Sequence, residues 1–190
     1  VTEAEVGKVI TVVASYTDGH GTAEAVSSAA TAAVVNVNDA PTGSVTIDDT
    51  TPAQGDTLTA SNTLADADGL GAITYTWKAD GSTVGTGSTY IVTVAEVGKV
   101  IAVVANYTDG HGTAEAVSSA ATVAVANVND APTGNVTIDN TTPAQGDTLT
   151  ASNTLADADG LGAITYTWKA DGATVGTGAT YVVTEAEVGK

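Results

Sequence analysis

The stretch Val100-Ile101-Ala102-Val103-Val104-Ala105-Asn106-Tyr107-Thr108 decides the fold class. Ile101, Val103, Ala105 and Tyr107 fall two apart and share one face; Ala102, Val104 and Asn106 share the other. A period of two marks a strand with one face against a core, and the density of β-branched residues favours the same conformation. Asp109-Gly110-His111-Gly112 follows, a turn by its Asp and Gly chemistry. Residues 114–128 then read as a long final strand interrupted near Ser118-Ser119.

Upstream, the same period recurs in short runs with turn residues between them. Residues 44–48 read as a strand, and so do 57–63, with Leu58 and Ala60 inward. In 72–78, Ile73, Tyr75 and Trp77 lie on one face and Thr74 and Thr76 on the other. Asp80-Gly81 is a turn, 82–84 a short edge strand and 88–93 a further strand; 94–99 is a tight connection of about one helical turn. Six or seven short strands in a domain-sized length predict an all-β, immunoglobulin-like β-sandwich, with Trp77 and the tyrosines packed in its core.

The pattern is repeated. Glu-Val-Gly-Lys ends at Lys8, Lys99 and Lys190, 91 residues apart, and residues 1–99 match residues 92–190 at 88 of 99 positions. A unit of 91 residues closes its own core, unlike the shorter repeats of solenoids. The Pro-containing linker 36–43 sets the expected boundaries. Residues 1–38 are expected to be the last part of one repeat, 39–129 a complete repeat, and 130–190 the first part of the next, the whole being a window on a longer array. Glu3 becomes Val94 and Asp49 becomes Asn140 between copies, so the repeat does without those two acids.

Composition excludes several classes of function. The net charge is −17, from 22 acids against 5 lysines. Nucleic acid and anionic membranes both require a basic face. No apolar run approaches the ~20 residues of a membrane helix. Cysteine, phenylalanine and methionine are absent, which removes disulfides and thiolate chemistry and leaves a light aliphatic core, of the kind that small domains reinforce with metals. An enzyme is not expected. His20 and His111 are the only imidazoles, each in a Gly-flanked turn, and no nucleophile–base–orienter set can be drawn. His111 reads as a turn residue.

Ten acids fall in residues 39–129, and their placement carries the functional reading. In a sandwich of this kind the loop Ala65-Asp66-Ala67-Asp68-Gly69, the turn at Asp109 and the entering linker with Asn38 and Asp39 meet at one pole. The tight turn of the preceding repeat brings Glu5 to the same junction. Such a group repels itself unless a cation sits among its oxygens. Calcium, with six to eight oxygen ligands in flexible geometry, suits it; zinc is poorly served without cysteine and with one histidine per repeat. The loop is not an EF-hand, since Leu70 and Trp77 stand at its fifth and twelfth positions.

Asn36-Val37-Asn38-Asp39-Ala40-Pro41 resembles the cadherin interdomain linker, Asp66-Ala67-Asp68 the cadherin DxD loop, and Asp109-Gly110-His111-Gly112 its late-hairpin element. Trp77, Asp80-Gly81, Tyr90, Glu96-Val97-Gly98-Lys99 and Tyr107-Thr108-Asp109-Gly110 together resemble the immunoglobulin-like extender repeats of giant bacterial RTX adhesins, over the whole repeat. The resemblance implies an extended stalk at the bacterial cell surface, exported by type I secretion and stiffened by calcium at each junction. It implies Asp39, Asp66, Asp68 and Asp109 as side-chain ligands, with Asn38 and the Ala40 carbonyl in support. One repeat on, the corresponding positions are Asn129, Asp130, Asp157 and Asp159. Asn36 departs from the cadherin linker's first Asp, and Glu5, with Glu96 at the next junction, stands in for that family's acidic residues in the preceding domain. The Gly-rich nonapeptide of RTX proteins is absent from this sequence. The partners expected are neighbouring repeats of the same chain; neither nucleic acid nor direct membrane insertion is expected, and no adhesive target is encoded. The rival readings are a calcium-dependent module that binds sugars or surfaces, and a calcium-free spacer.

Overall fold

A computed structural model describes residues 1–189. The chain is all-β, built from small antiparallel sheets consistent with a β-sandwich, with three one-turn 3₁₀ segments among the described residues. It divides into two compact units, Val1–Ala126 and Asn127–Lys190. The division falls three residues before the expected boundary at 129/130. Within the first unit, Asn38 Nδ2 donates to Glu115 Oε1 at 2.9 Å.

In the first unit, strands β1 (Val13–Thr17) and β2 (Ala23–Ser27) form a hairpin exposed along its whole length. The remainder holds two sheets. One runs β3–β4–β7, from Val45–Ile47, Thr57–Asn62 and Thr89–Ile91. The other runs β6–β5–β8–β9, from Ser82–Thr86, Thr74–Ala79, Ile101–Thr108 and Ala114–Ser118. Their buried residues form one core: Val45, Ile47, Leu58 and Ala60 from the first sheet, Trp77, Ile101, Val103, Ala105 and Tyr107 from the second. The four inward residues of β8 are those its alternation predicts. Trp77 stacks on Tyr90 with ring centroids 5.9 Å apart, and its indole Nε1–H donates to the Gly87 carbonyl at 2.9 Å. The polar atom of the largest core side chain is therefore satisfied, and such a ring pair contributes about 1 kcal/mol beyond its area.

The final strand breaks at the expected place but does not resume as a strand. β9 ends at Ser118, and hydroxyls then replace the carbonyl ladder: Ser119 Oγ accepts from Val103 N and Thr122 Oγ1 from Ile101 N. The chain continues through single bridges from Ala124, Val125 and Ala126 to Val100, Val97 and Ala53. Serine and threonine compete with the backbone in this way, so the run of small residues after Ser118 does not continue the ladder.

The second unit repeats the pattern with β10 (Val136–Ile138), β11 (Thr148–Asn153), β12 (Thr167–Ala170), β13 (Ala173–Thr177) and β14 (Thr180–Val182). Its sheets are β10–β11–β14 and β12–β13. Trp168 stacks on Tyr181 as Trp77 does on Tyr90. This unit has no counterparts of β8 and β9 among the described residues. Among the described residues no helix is long and apolar enough to cross a membrane.

Candidate metal centre

The loop at 65–69 and the hairpin turn at 109–112 are built by their own acids. Asp66 Oδ1 accepts the Asp68 amide at 2.9 Å, and its Oδ2 accepts the phenolic proton of Tyr107, which closes the buried face of β8. Burial first, and then the bond to Asp66, push the Tyr107 phenol up, so it serves as a fixed donor. Asp109 Oδ1 accepts the amides of His111 and Thr113, both at 2.8 Å. Burial works against the charge on Asp109, but these amides outweigh it and hold the carboxyl below its ordinary range. The loops are pinned to each other by the Gly110 amide, which donates to the carbonyls of Asp68 (3.0 Å) and Gly69 (3.1 Å). A Cβ on Gly110 would lie 2.5 Å from the Asp68 carbonyl oxygen, so only glycine permits this approach.

The two loops leave two anionic oxygens without a partner. Asp68 is 4 % exposed; its Oδ2 accepts the Asp39 amide at 2.7 Å, while its buried Oδ1 has no hydrogen-bond partner. Asp109 is 6 % exposed, and its Oδ2 is likewise buried and unpartnered. A buried polar atom left unpaired costs about 1–3 kcal/mol, and more when charged. The carboxylates of these two loops are anionic and free of lysine, which fits a hard divalent cation such as calcium, although the ligand atoms that lie within 4.8 Å of one another at this pole, those of Glu3, Asp68 and His111, include an imidazole nitrogen.

The sequence-predicted residues divide as follows. Asp66, Asp68 and Asp109 lie on the two pinned loops, and Asp39 joins them through its amide. The Asp39 side chain is exposed and lines a shallow recess with Thr2, Glu3 and Val6. Asn38 is turned toward Glu115. Glu5 does not join them. Its Oε2 accepts both the amide and the hydroxyl of Thr2 at 2.8 Å, closing a capping box on the 3₁₀ turn Glu3–Glu5. Glu96 is used in the same way by Thr93, at 2.9 and 2.6 Å. Glu3 takes the place expected of Glu5: its Oε1 lies 2.8 Å from His111 Nε2, and ligand atoms of Glu3, Asp68 and His111 all lie within 4.8 Å of one another. The bond to Glu3 raises the His111 pKa. In the second unit the local pattern recurs. The Asp130 amide donates to Asp159 Oδ2 at 2.7 Å and the Asp159 amide to Asp157 Oδ1 at 2.9 Å, while Asn129 Nδ2 donates to the Asp130 carbonyl.

Glu3 and His111 are the residues that sequence reasoning missed. Their signal was present. Thr2-x-x-Glu5 is a capping-box sequence, which commits Glu5 to its own turn and leaves Glu3 free to reach outward. Comparison with protein-family models and with curated proteins returned no match.

Proposed function

We propose that this chain is a run of tandem immunoglobulin-like β-sandwich repeats serving as the extender of a large bacterial surface adhesin. Calcium would stiffen the junctions between repeats, and the stalk would carry an adhesive domain away from the cell. One observation carries the reading: Asp68 Oδ1 and Asp109 Oδ2 are buried without partners at the pole where the incoming linker is fixed by the Asp39 amide on Asp68. Asp39, Asp66, Asp68 and Asp109 would hold the ion, with Asn38 in support. The ion would supply charge neutralisation, tying the linker to both loops. Ordering a linker costs about 1–2 kcal/mol per residue, part of which the bound ion would offset. The sheet orders β3–β4–β7 and β6–β5–β8–β9, with a buried tryptophan on β5, support the immunoglobulin-like assignment.

Calcium titration followed by thermal melting tests this. Calcium is expected to raise the melting temperature of the chain, and Asp68→Asn and Asp109→Asn are each expected to abolish most of that rise. Small-angle scattering of a multi-repeat chain is expected to show a longer maximum dimension with calcium than with chelator. A melting temperature and a dimension both indifferent to calcium would reduce the chain to an acidic spacer.

A further inference from the structure

Calcium has no use for an imidazole, yet one stands at this pole. His111 Nε2 and Glu3 Oε1 are 2.8 Å apart, each side chain about one-third exposed, and a carboxylate oxygen of Asp68 completes a group within 4.8 Å. Asp68 is 4 % exposed and carries a buried oxygen without a partner. The histidine is positioned from behind: its amide is held by Asp109 Oδ1, and the turn is closed by Asp109 N on the Thr113 carbonyl at 2.9 Å. Hard cations take oxygen, whereas imidazole nitrogen suits zinc, copper and nickel.

We propose that Glu3, Asp68 and His111 form a second cation site, for a divalent transition ion of the zinc kind, bridging the 3₁₀ turn Glu3–Glu5 to the hairpin turn at 109–112. One nitrogen and two carboxylate ligands leave the fourth tetrahedral position to water. The ion replaces the direct contact between Glu3 and His111. The site shares Asp68 with the calcium reading but does not rest on it, since its other ligands differ. Glu3 is Val94 in the second copy and Glu185 in the third, so the bridging carboxylate recurs in two of the three copies in this sequence. His20 is an internal control. It occupies the same Asp-Gly-His-Gly turn, with its amide on Asp18 Oδ1 at 2.9 Å, but among the described residues it belongs to no metal-competent group.

The test is isothermal titration of the 190-residue chain, without a histidine tag, using zinc chloride in calcium-free buffer. Binding of one equivalent is expected. Outer-shell changes alone cost about 10–100-fold in metal affinity, so loss of a ligand in His111→Ala or Glu3→Gln is expected to weaken zinc by at least about tenfold. His20→Ala should leave it unchanged. Zinc is also expected to shift the ring nitrogen resonances of His111 and not those of His20. Absence of zinc binding, or equal binding by wild type and His111→Ala, overturns the proposal. Calcium titration of the same variants separates the two readings. Calcium binding without zinc binding removes this inference alone, and zinc binding without calcium binding removes the stalk-stiffening reading alone.

Discussion

Asp49 and its copy Asn140 show what a single acid does in this repeat. Asp49 Oδ1 accepts the Thr51 amide at 2.8 Å, and Asn140 Oδ1 accepts the Thr142 amide at 3.0 Å. The position needs an acceptor and not a charge, so the substitution keeps its turn. Glu96 differs, because its charge is used. Burial pushes its carboxyl up, but the Thr93 hydroxyl and amide outweigh burial, and the net shift is below the ordinary value of 4.5. A carboxylate with a depressed folded-state pKa contributes stability above its unfolded value and loses it as pH falls through the folded one. Glu96→Gln is therefore expected to lower stability near pH 7 by about 1 kcal/mol, the usual worth of a cap. The gap to wild type should narrow as pH falls below 4.5 and close below the lower folded-state value, where protonated glutamic acid and glutamine become equivalent acceptors. Urea denaturation of both proteins across pH 3–7 measures this, and a gap independent of pH would show that the charge contributes nothing. At this scale the candidate site was half legible. Asp66, Asp68 and Asp109 could be placed because the sandwich topology expected from the strands sets which loops share a pole. Which oxygen stays unpaired, and which of Glu3 and Glu5 reaches outward, depends on side-chain bonds that spacing alone does not order.

Elements were more legible than atoms. The run 101–108 declared its inward face through unbroken alternation, and Asp80-Gly81 declared a two-residue hairpin. Asp80 sits at φ +46° and Gly81 at φ +81°, the pair of positive angles that matches strand twist. The break near Ser118-Ser119 was legible too, since β9 ends at Ser118; what could not be read was that no strand resumes after it. The decision there belongs to Ser119 and Thr122, whose hydroxyls take the amides that a ladder carbonyl would otherwise accept. The pairing of the two acidic loops is likewise a property of elements, and Gly110 controls it. In Gly110→Ala a Cβ 2.5 Å from the Asp68 carbonyl would push the loop at 65–69 away from the turn at 109–112, breaking the two bonds made by the Gly110 amide. Calcium affinity is expected to fall by at least about tenfold while Trp77, held by its stack on Tyr90 and its bond to the Gly87 carbonyl, keeps its near-ultraviolet signal. Retained affinity would mean that the cation does not need the two loops in contact.

Across the whole molecule, near-identical sequences stand in two settings, which makes the chain its own mutant series. Val45-Thr46-Ile47 and Val136-Thr137-Ile138 are the same residues in the same register, paired with Asn62–Ala60 and Asn153–Ala151 respectively. Their ladders match, so local hydrogen bonding cannot distinguish them. Their burial does: Val45 and Ile47 are 4 % and 8 % exposed, whereas Val136 and Ile138 are 56 % and 46 % exposed. The residues that cover the first pair come from β8, and among the described residues the second unit has no strand in that position. Fully burying a valine or isoleucine is worth about 1.5–3 kcal/mol, an upper estimate because unfolded chains are already partly compact. Half of that for two residues still amounts to about 1.5–3 kcal/mol, or roughly tenfold to a hundredfold in an opening equilibrium. Amides of β10 are therefore expected to exchange with solvent deuterium at least about tenfold faster than those of β3. Mass spectrometry can follow both at once, because Ser44/Asn135 and Asp49/Asn140 give the two peptides different masses. Equal protection would mean that β10 is covered in solution by other residues, and that the exposure of Val136 and Ile138 is not the state that exchanges.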